Sequence, residues 1–567
     1  MPIDVQLHFW PWSRGTEETV SLTSREVSFP FWGSPVVSIS SRAVLHLPRR
    51  HERFTPFGPS FDTIAGEYRL YETPHGVLAA GNAKNQVAGA EVRVSIDGLR
   101  GTVRLNPYGA KPRFSQDKEK RGEDSLLART VVAWSQFFDD LLDDAKKSRR
   151  ENKLSWAEAI KIIFDISEDP KQPRKALIVD IAEQMRSRIA DIVATARRIL
   201  SRERVLLPAG SISETDTACL RWLVRQPGDD LAQKAATNRQ RLLGISRHES
   251  FDTLENKVLK DFLKRCSTEG RRYLKSEVGE NPGFLQSQRA ITVRQYQYLC
   301  SDLFRTPHFE KISAPPPAPR PNYVLQNDLR YREVWQHYIR LLKREDEEDC
   351  LWDWQTRTWA DVSRFLVCAA LYGLSQETSS KVVVKELLWS ALNLTNEQRL
   401  GCRIPAGSEP GPFLVSIRGA ETTRACVLEI VHPDQAGDHP ATKLLGRTGG
   451  HLYLVLSPLT GGRRLVLVVW AVHTAASEDH PTWTEIGKSA GRGLIAHSHV
   501  LNELGDPDFP ILRGFVVGSD MESAAADLHP GAGDDLHLVQ VATDQRCWDD
   551  ALKGIILVIE DILEEAL

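Results

Sequence analysis

The 567-residue sequence predicts a multidomain α+β protein: a β-rich N-terminal module, a helical middle domain and a C-terminal α/β domain. Three observations carry this. As far as Pro107, short β-like runs alternate with Gly, Pro, Ser and Thr at the density of strands and turns. From Ser125 the apolar residues take up helical spacing. Near the C-terminus, Gly450–His473 holds two apolar runs, His451–Leu456 and Leu465–Val472, that are too short for helices and rich in Leu and Val. The chain is too long for one core, and about two to four domains are expected. Boundaries are placed at 1–110, 111–310, 311–400 (a Pro-rich link and helical connector) and 401–567.

Charged residues at 26% and apolar residues at 41% are ordinary for a globular protein, and a formal net charge of -3 argues against a uniformly basic coat while leaving a local basic face open. Met1–Asp4 lacks a basic leader with an apolar core, and no run reaches the roughly 18 apolar residues of a membrane span, so a cytoplasmic protein is expected. The eight cysteines show no C-x-x-C spacing, which favours reduced thiols over zinc or disulfides. There is no G-x-x-x-x-G-K-[ST] phosphate loop or H-E-x-x-H, and no cofactor is expected.

In the N-terminal module the strand-like runs are Val36–Ile39, Ala43–Leu47, Tyr68–Tyr71, Gly76–Ala80, Ala90–Ile96 and Gly101–Leu105. They suit a small sandwich or barrel used for interaction or target recognition. Leu126, Leu127, Val131, Val132, Trp134, Phe137, Phe138, Leu141 and Leu142 then recur at helical spacing, with a basic end at Lys146–Arg150 that reads as a solvated cap. Trp156–Ile166 follows.

Ala176–Arg204 reads as one long amphipathic helix, with Ile178, Ile181, Met185, Ile189, Ile192, Val193, Ile199 and Leu200 on its apolar side. Arg186, Arg188, Arg197, Arg198, Arg202 and Arg204 form its other side, the densest basic face in the chain. Such a face would lie along a nucleic-acid backbone; a solvated face paired with acidic neighbours is the competing reading. In Ser250–Leu263, Asp252 as N-cap with Glu255 three residues on forms a capping box, and Leu254, Val258, Leu259, Phe262 and Leu263 form the apolar face. Ala314–Pro321 is a semi-rigid spacer, and Trp352, Trp354 and Trp359 are read as core residues rather than base-stacking platforms.

Arg204–Pro208, Leu220–Leu223, SFDTLENKVLKDFL and LQNDLRYREVWQHYIRLLK at Leu325–Lys343, in that order, resemble a large bacterial family in which a helical domain precedes a PD-(D/E)XK nuclease domain. Its members are similar to McrC, the nuclease partner of the McrB motor in modification-dependent restriction. Phe251–Asn256 is the most specific part of the resemblance.

The C-terminal domain is expected to run strand Phe413–Ile417, strand Ala425–Val431, a central hairpin, helix Trp483–Leu504, strand Ile511–Val517, strand Leu536–Val541 and helix Trp548–Leu567. Neither hairpin run alternates with polar residues, which places the hairpin at the centre of its sheet. The order resembles the family's nuclease core. The resemblance implies an acid on the first hairpin strand and an acid-x-Lys on the second, to hold Mg²⁺ and orient the attacking water. The matching places are Gly450-His451 and Trp470-Ala471-Val472, so His451, Trp470 and Val472 stand at degenerate positions.

A pseudonuclease follows: a non-catalytic or accessory subunit of a restriction or anti-phage defence system, binding DNA or an AAA+ ATPase or GTPase motor similar to McrB. One alternative is an active endonuclease with Mg²⁺ on relocated ligands, Glu429 and Asp434. Another is a structural adaptor that does not touch DNA. His432, His439, His451, His473, His480, His497 and His499 make this domain histidine-rich, and His451 facing His473 would suit a transition metal. Hydrogen-bonded histidines are the default, and no metal site is expected.

Overall fold

The computed structural model describes residues 5–13, 19–21, 26–30, 36–40, 44–46, 55–63, 66–72, 90–96, 99–108, 133–135, 137–139, 141–142, 145, 153–168, 173, 176–279, 282–317, 319–353, 355–377, 381–395, 404–417, 425–439, 442–473, 481–503, 510–519, 528–530, 535–541 and 547–566. Two compact units result: residues 1–170 with 346–567, and residues 171–345. This division differs from the boundaries expected at 110, 310 and 400.

In the first unit, a five-stranded antiparallel sheet has the order β2 (Thr19–Ser21), β1 (Val5–His8), β4 (Val36–Ser40), β7 (Gly66–Glu72), β6 (Thr55–Thr63). A four-stranded sheet has the order β3 (Glu26–Pro30), β9 (Leu99–Tyr108), β8 (Ala90–Ile96), β5 (Val44–His46). The expected strand Gly76–Ala80, residues 126–132 and the basic run 146–150 lie outside the described residues. Next come β10 (Lys153–Ser155) and α1 (Trp156–Glu168). A reciprocal capping box starts α1: the Ser155 N–H and hydroxyl donate to Glu158 Oε2, and the Glu158 N–H donates to Ser155 Oγ.

The second unit is mainly helical. Its elements are α2 (Leu177–Met185), α3 (Ile189–Ala194), β11 (Ile199–Pro208), α4 (Thr217–Val224), α5 (Leu231–Thr237), β12 (Arg241–Ser250), α6 (Leu254–Tyr273), α7 (Gln288–Phe304), α8 (Pro307–Glu310), α9 (Tyr323–Asn327) and α10, which starts at Leu329 and runs to Asp353. Val258, Leu259, Phe262 and Leu263 of α6 are buried as their spacing predicts, against Val293 and Tyr296 of α7 and Ile178 and Ile181 of α2. The single helix expected over 176–204 is not formed. Turns at 186–188 and 195–198 break it, and residues 199–208 pair with β12 as a strand, leaving Ile199 and Leu200 exposed. The β-branched Ile199 and Val205 suit that strand, and pairing with β12 overrides the helical spacing. The Pro-rich run 314–321 falls inside this unit rather than between domains.

Back in the first unit, α11 (Gln355–Gln376), β13 (Val382–Glu386), β14 (Ala391–Asn393), β15 (Phe413–Ile417), β16 (Ala425–Val431), β17 (Leu452–Pro458), β18 (Leu465–Val472), α12 (Trp483–Glu503), β19 (Ile511–Ser519), β20 (Leu528–Pro530), β21 (Leu536–Val541) and α13 (Trp548–Ala566) complete the chain. The eight-stranded sheet has the order β13-β15-β16-β17-β18-β19-β21-β20, which puts the β17–β18 hairpin at its centre as expected. Strands β18 and β19 are parallel, a pairing that needs a crossover, and α12 supplies it.

Side-chain alternation along the hairpin defines two cores. Leu452, Leu454, Leu456, Leu467 and Val469 face one that includes α1, α11 and α13. Tyr453, Val455, Val466, Val468, Trp470 and Val472 face another, made with Ile486, Ala490 and Leu494 of α12 and, from the residues after β1, Trp10 and Trp12. Helices therefore cover both faces, which explains why neither strand carries a polar stripe. Trp359 is fully buried, with its indole N–H donated to the Val517 carbonyl at 3.2 Å. The side chains of Trp352 and Trp354 are outside the described residues.

Candidate functional site

At the mouth of the central hairpin, at the positions singled out by the sequence resemblance, the structure sets apolar and imidazole groups. Trp470 is fully buried; its indole N–H donates to the Thr448 carbonyl at 2.9 Å. Trp12 packs edge-on against it at 5.4 Å between ring centroids, stacks on Trp10 at 5.3 Å, and donates its own indole N–H to Ser489 Oγ at 2.9 Å. Val472 is equally buried. Gly449 adopts φ +65°, and a Cβ there would stand 2.5 Å from the Pro11 carbonyl, so the N-terminal tryptophan segment closes directly over this end of the hairpin.

His451 is held by two backbone contacts: its N–H donates to the Val469 carbonyl at 2.7 Å, and its Nδ1 accepts the Ala471 N–H at 3.0 Å. Burial, reinforced by Arg364, pushes its pKa down to about 3. An indole, an isopropyl group and a neutral imidazole do not fit a hard divalent cation, which takes carboxylate and carbonyl oxygens. Among the described residues, no group of three or more His, Cys, Asp or Glu is arranged to hold a metal ion.

The two relocated candidates have separate partners. Glu429 lies on β16 opposite Val455 and contacts His439 Nε2 at 3.3 Å. Asp434 sits in the turn after β16, where its backbone N–H donates to His432 Nδ1 at 3.1 Å. Among the described residues neither carboxylate is ion-paired to a lysine or arginine.

His451 and His473 are not set face to face. The strand register puts His451 beside Trp470, three residues before His473, and His473 Nδ1 contacts Ser519 Oγ on β19 at 2.8 Å while its ring stacks on Trp359. Facing them, α11 contributes a buried acid–base pair that sequence reasoning missed, Asp361 with Arg364, and Asp361 also accepts the Ile404 N–H at 3.4 Å. The available signal was an i,i+3 charge pair beside the apolar run Phe365–Leu371 of the same helix. Burial and the charges of Arg364 and Arg357 push the His432 pKa down to about 2. Glu409, also near Arg364, has its carboxyl pKa raised by burial.

In the second unit, the six arginines sit on different elements. Arg186 and Arg188 occupy the turn between α2 and α3, Arg197 and Arg198 the approach to β11, and Arg202 and Arg204 alternate positions of β11 itself. Each reaches a polar partner: Arg186 with Gln295 at 2.6 Å, Arg188 with Glu333 at 2.6 Å, Arg197 with Glu255 at 2.8 Å, Arg198 with Glu249 at 3.1 Å, Arg202 with Glu214 at 3.2 Å and Arg204 with Asp216 at 2.5 Å. Arg204 in turn depresses the Asp216 carboxyl pKa. The pairs of Arg188, Arg198, Arg202 and Arg204 are largely exposed, and such pairs are weak, whereas Arg197 is held by the buried Glu255 carboxylate.

The Phe251–Asn256 motif is structural. Thr253, not Asp252, caps α6, accepting the Asn256 N–H at 3.4 Å. Asp252 instead binds the Ser313 N–H and hydroxyl, at 2.9 and 3.0 Å. Buried Glu255 holds Arg197 through one oxygen and Asn322 through the other, at 2.8 and 2.9 Å. Asn256 donates to the Arg197 and Phe251 carbonyls and accepts the Tyr331 hydroxyl at 2.7 Å, and Tyr331 takes the Arg197 N–H at 2.9 Å. The motif ties the start of β11 to α6, α9 and α10.

Residues 134–338 match a family described as a domain of unknown function, DUF2357. No curated protein matches the chain. Among solved structures, the chain is similar to one from a refined half-complex of the tetradecameric assembly of Thermococcus gammatolerans McrB AAA+ hexamers with bound McrC. The identity is 8%, the alignment covers 84% of this chain and 85% of that one, and the TM-score is 0.20. No helix among the described residues is long and apolar enough to cross a membrane.

Proposed function

We propose that this chain is a non-catalytic, accessory subunit of a bacterial restriction or anti-phage defence system, in which the C-terminal domain is a pseudonuclease kept for its shape and contacts. The observation that carries the non-catalytic part is Trp470. At the position where the family's pattern calls for a metal-binding acid, a fully buried indole is bonded to Thr448 and covered by Trp12. The defence role rests on the sequence resemblance across Val205–Lys343, and a McrB-like AAA+ ATPase or GTPase is the partner it implies.

DNA enters as the second ligand through the exposed arginines of the β11 region, which would exchange carboxylate partners for phosphates. Duplex binding measured between about 50 and 200 mM salt tests this part. Affinity that falls by orders of magnitude supports a DNA-holding subunit. Absent binding at low salt leaves the adaptor reading in its place.

A further inference from the structure

We propose that the far end of the β11–β12 ribbon carries a second contact surface for a DNA backbone, formed by Arg221, Arg225, Arg239 and Arg241. This rests on the DNA-holding role proposed above and adds to the arginines of the β11 region a set that no carboxylate occupies.

The ribbon pairs from Ile199 with Ser250 at one end to Pro208 with Arg241 at the other, and the first end adjoins Arg197, which Glu255 and Asn256 tie to α6. Arg241 stands six residues along β12 from Arg247, the strand partner of Arg202, so about 20 Å of ribbon separates the two places. Between the strands the chain forms α4 and α5, and the C-terminal ends of these helices meet. Asn238 Nδ2 donates to Gln226 Oε1 at 3.1 Å, and Lys234 Nζ donates to the Leu223 carbonyl at 3.2 Å. Arg225 is the C-cap of α4, Arg239 follows the C-cap of α5 and Arg241 opens β12, so three arginines come to this junction. Arg221 lies one helical turn before Arg225 on the same face of α4.

All four arginines are exposed, and among the described residues none of their side chains forms an ion pair or a hydrogen bond. In the β11 region, by contrast, Arg198, Arg202 and Arg204 are each paired with a carboxylate. The acids between Leu220 and Leu242 are Asp229 and Asp230. They stand at the opposite end of α5, where Asp230 accepts the Gln233 N–H at 2.7 Å as N-cap. A phosphate reaching the junction therefore displaces no acid, and each contact releases counterions in full.

The backbone gives a second observation. Arg239 and Gln240 have φ of +54° and +64°, the left-handed region that residues with a Cβ rarely enter. The turn is held there by the Gln240 N–H donating to the Ala235 carbonyl at 2.8 Å and the Ala209 N–H donating to the Gln240 carbonyl at 2.9 Å. Glycine is the residue that suits the position after a helix C-cap in this conformation, and an arginine held there is strained. Strain of this kind gathers at binding positions. Helix dipoles favour a cation behind α4 or α5, but they require neither the strained backbone at Arg239 nor Arg241 on a strand.

The test titrates labelled duplex DNA with the full-length chain between about 50 and 200 mM salt, and follows urea unfolding of each protein. Replacing two phosphate contacts in the double variant Arg225→Ala/Arg241→Ala should flatten the log–log salt dependence by about two units. Arg239→Gly should weaken binding several-fold while raising the urea midpoint, because it removes a guanidinium and relieves the backbone together. Opposite signs for binding and stability separate a ligand contact from a structural role. If wild type binds duplex and these variants keep its affinity and salt slope while Arg202→Ala loses about one unit, the second surface is overturned and the DNA-holding role stands on the β11 region alone. If wild type does not bind duplex even at about 50 mM salt, both fail, and the four arginines fit an acidic protein surface instead.

Discussion

Trp12 and Trp470 meet edge-on, ring centroids 5.4 Å apart and planes at 63°, and each donates its indole N–H inside the core, to Ser489 Oγ and to the Thr448 carbonyl. A residue just past the first strand thus seals the face of the central hairpin on which a nuclease of the resembled family would carry its catalytic acid and lysine. Removing this plug is the most direct way to ask whether the N-terminal segment supports the C-terminal sheet. Trp12→Ala should destabilise the protein by about 3–5 kcal/mol, read from urea unfolding followed by tryptophan fluorescence. A loss below about 1 kcal/mol would mean that the contact is incidental.

The Glu255–Asn256 network should fail through its phenol. Tyr331→Phe removes the donor to Asn256 Oδ1 and the acceptor of the Arg197 N–H, inside a buried site. A cost of about 1–3 kcal/mol is expected in equilibrium unfolding of the full chain. A neutral substitution would show that water fills both roles.

Stability should fall with acid because of two histidines. Their pKa values are depressed in the fold, to about 2 for His432 and about 3 for His451. The unfolded value is about 6.5, so above it neither state binds the proton and the contribution is complete. Below it the unfolded chain takes up protons that the fold refuses, and stability drops by about 1.4 kcal/mol per pH unit for each ring. Denaturant midpoints from pH 8 to pH 4 measure this; a flat profile for wild type below pH 6 contradicts the buried neutral state.

The arginine set makes a sharper prediction than a basic helix face would. Arg202 and Arg247 share Glu214, which Arg247 reaches at 2.6 Å, so Glu214→Gln should tighten duplex binding, whereas Arg202→Ala should flatten the log–log salt dependence by about one unit. Titrations of labelled duplex read both. If neither substitution changes binding, these arginines serve only the fold.

Much of the C-terminal sheet was legible because burial on both faces leaves long Leu and Val runs bounded by Gly and Pro. β15, β16 and β21 fall at the expected residues, and the hairpin is central. What escaped depends on distant partners. Strand β11 contradicts its own helical spacing because β12, beginning at Arg241, pairs with it through ten residues. Asp252 looks like a cap but is drawn off by Ser313, while capping boxes form at Ser155/Glu158 and Thr482/Glu485. At the mouth of the hairpin, the apolar character of Trp470 and Val472 was legible in the sequence. The Trp12 cover was not, and although the i,i+3 spacing of Asp361 and Arg364 was, nothing local signals that the chain's beginning or α11 reaches the hairpin.

The most direct measurement for the proposed pseudonuclease role is cleavage of plasmid and modified phage DNA across Mg²⁺ and Mn²⁺ concentrations, with wild type beside Glu429→Ala and Asp434→Ala. A hairpin mouth filled by Trp470, Val472 and Trp12 predicts no metal-dependent cutting by any of the three proteins. Metal-dependent cutting by wild type that both substitutions abolish would contradict it and place a working site on β16 and the turn that follows.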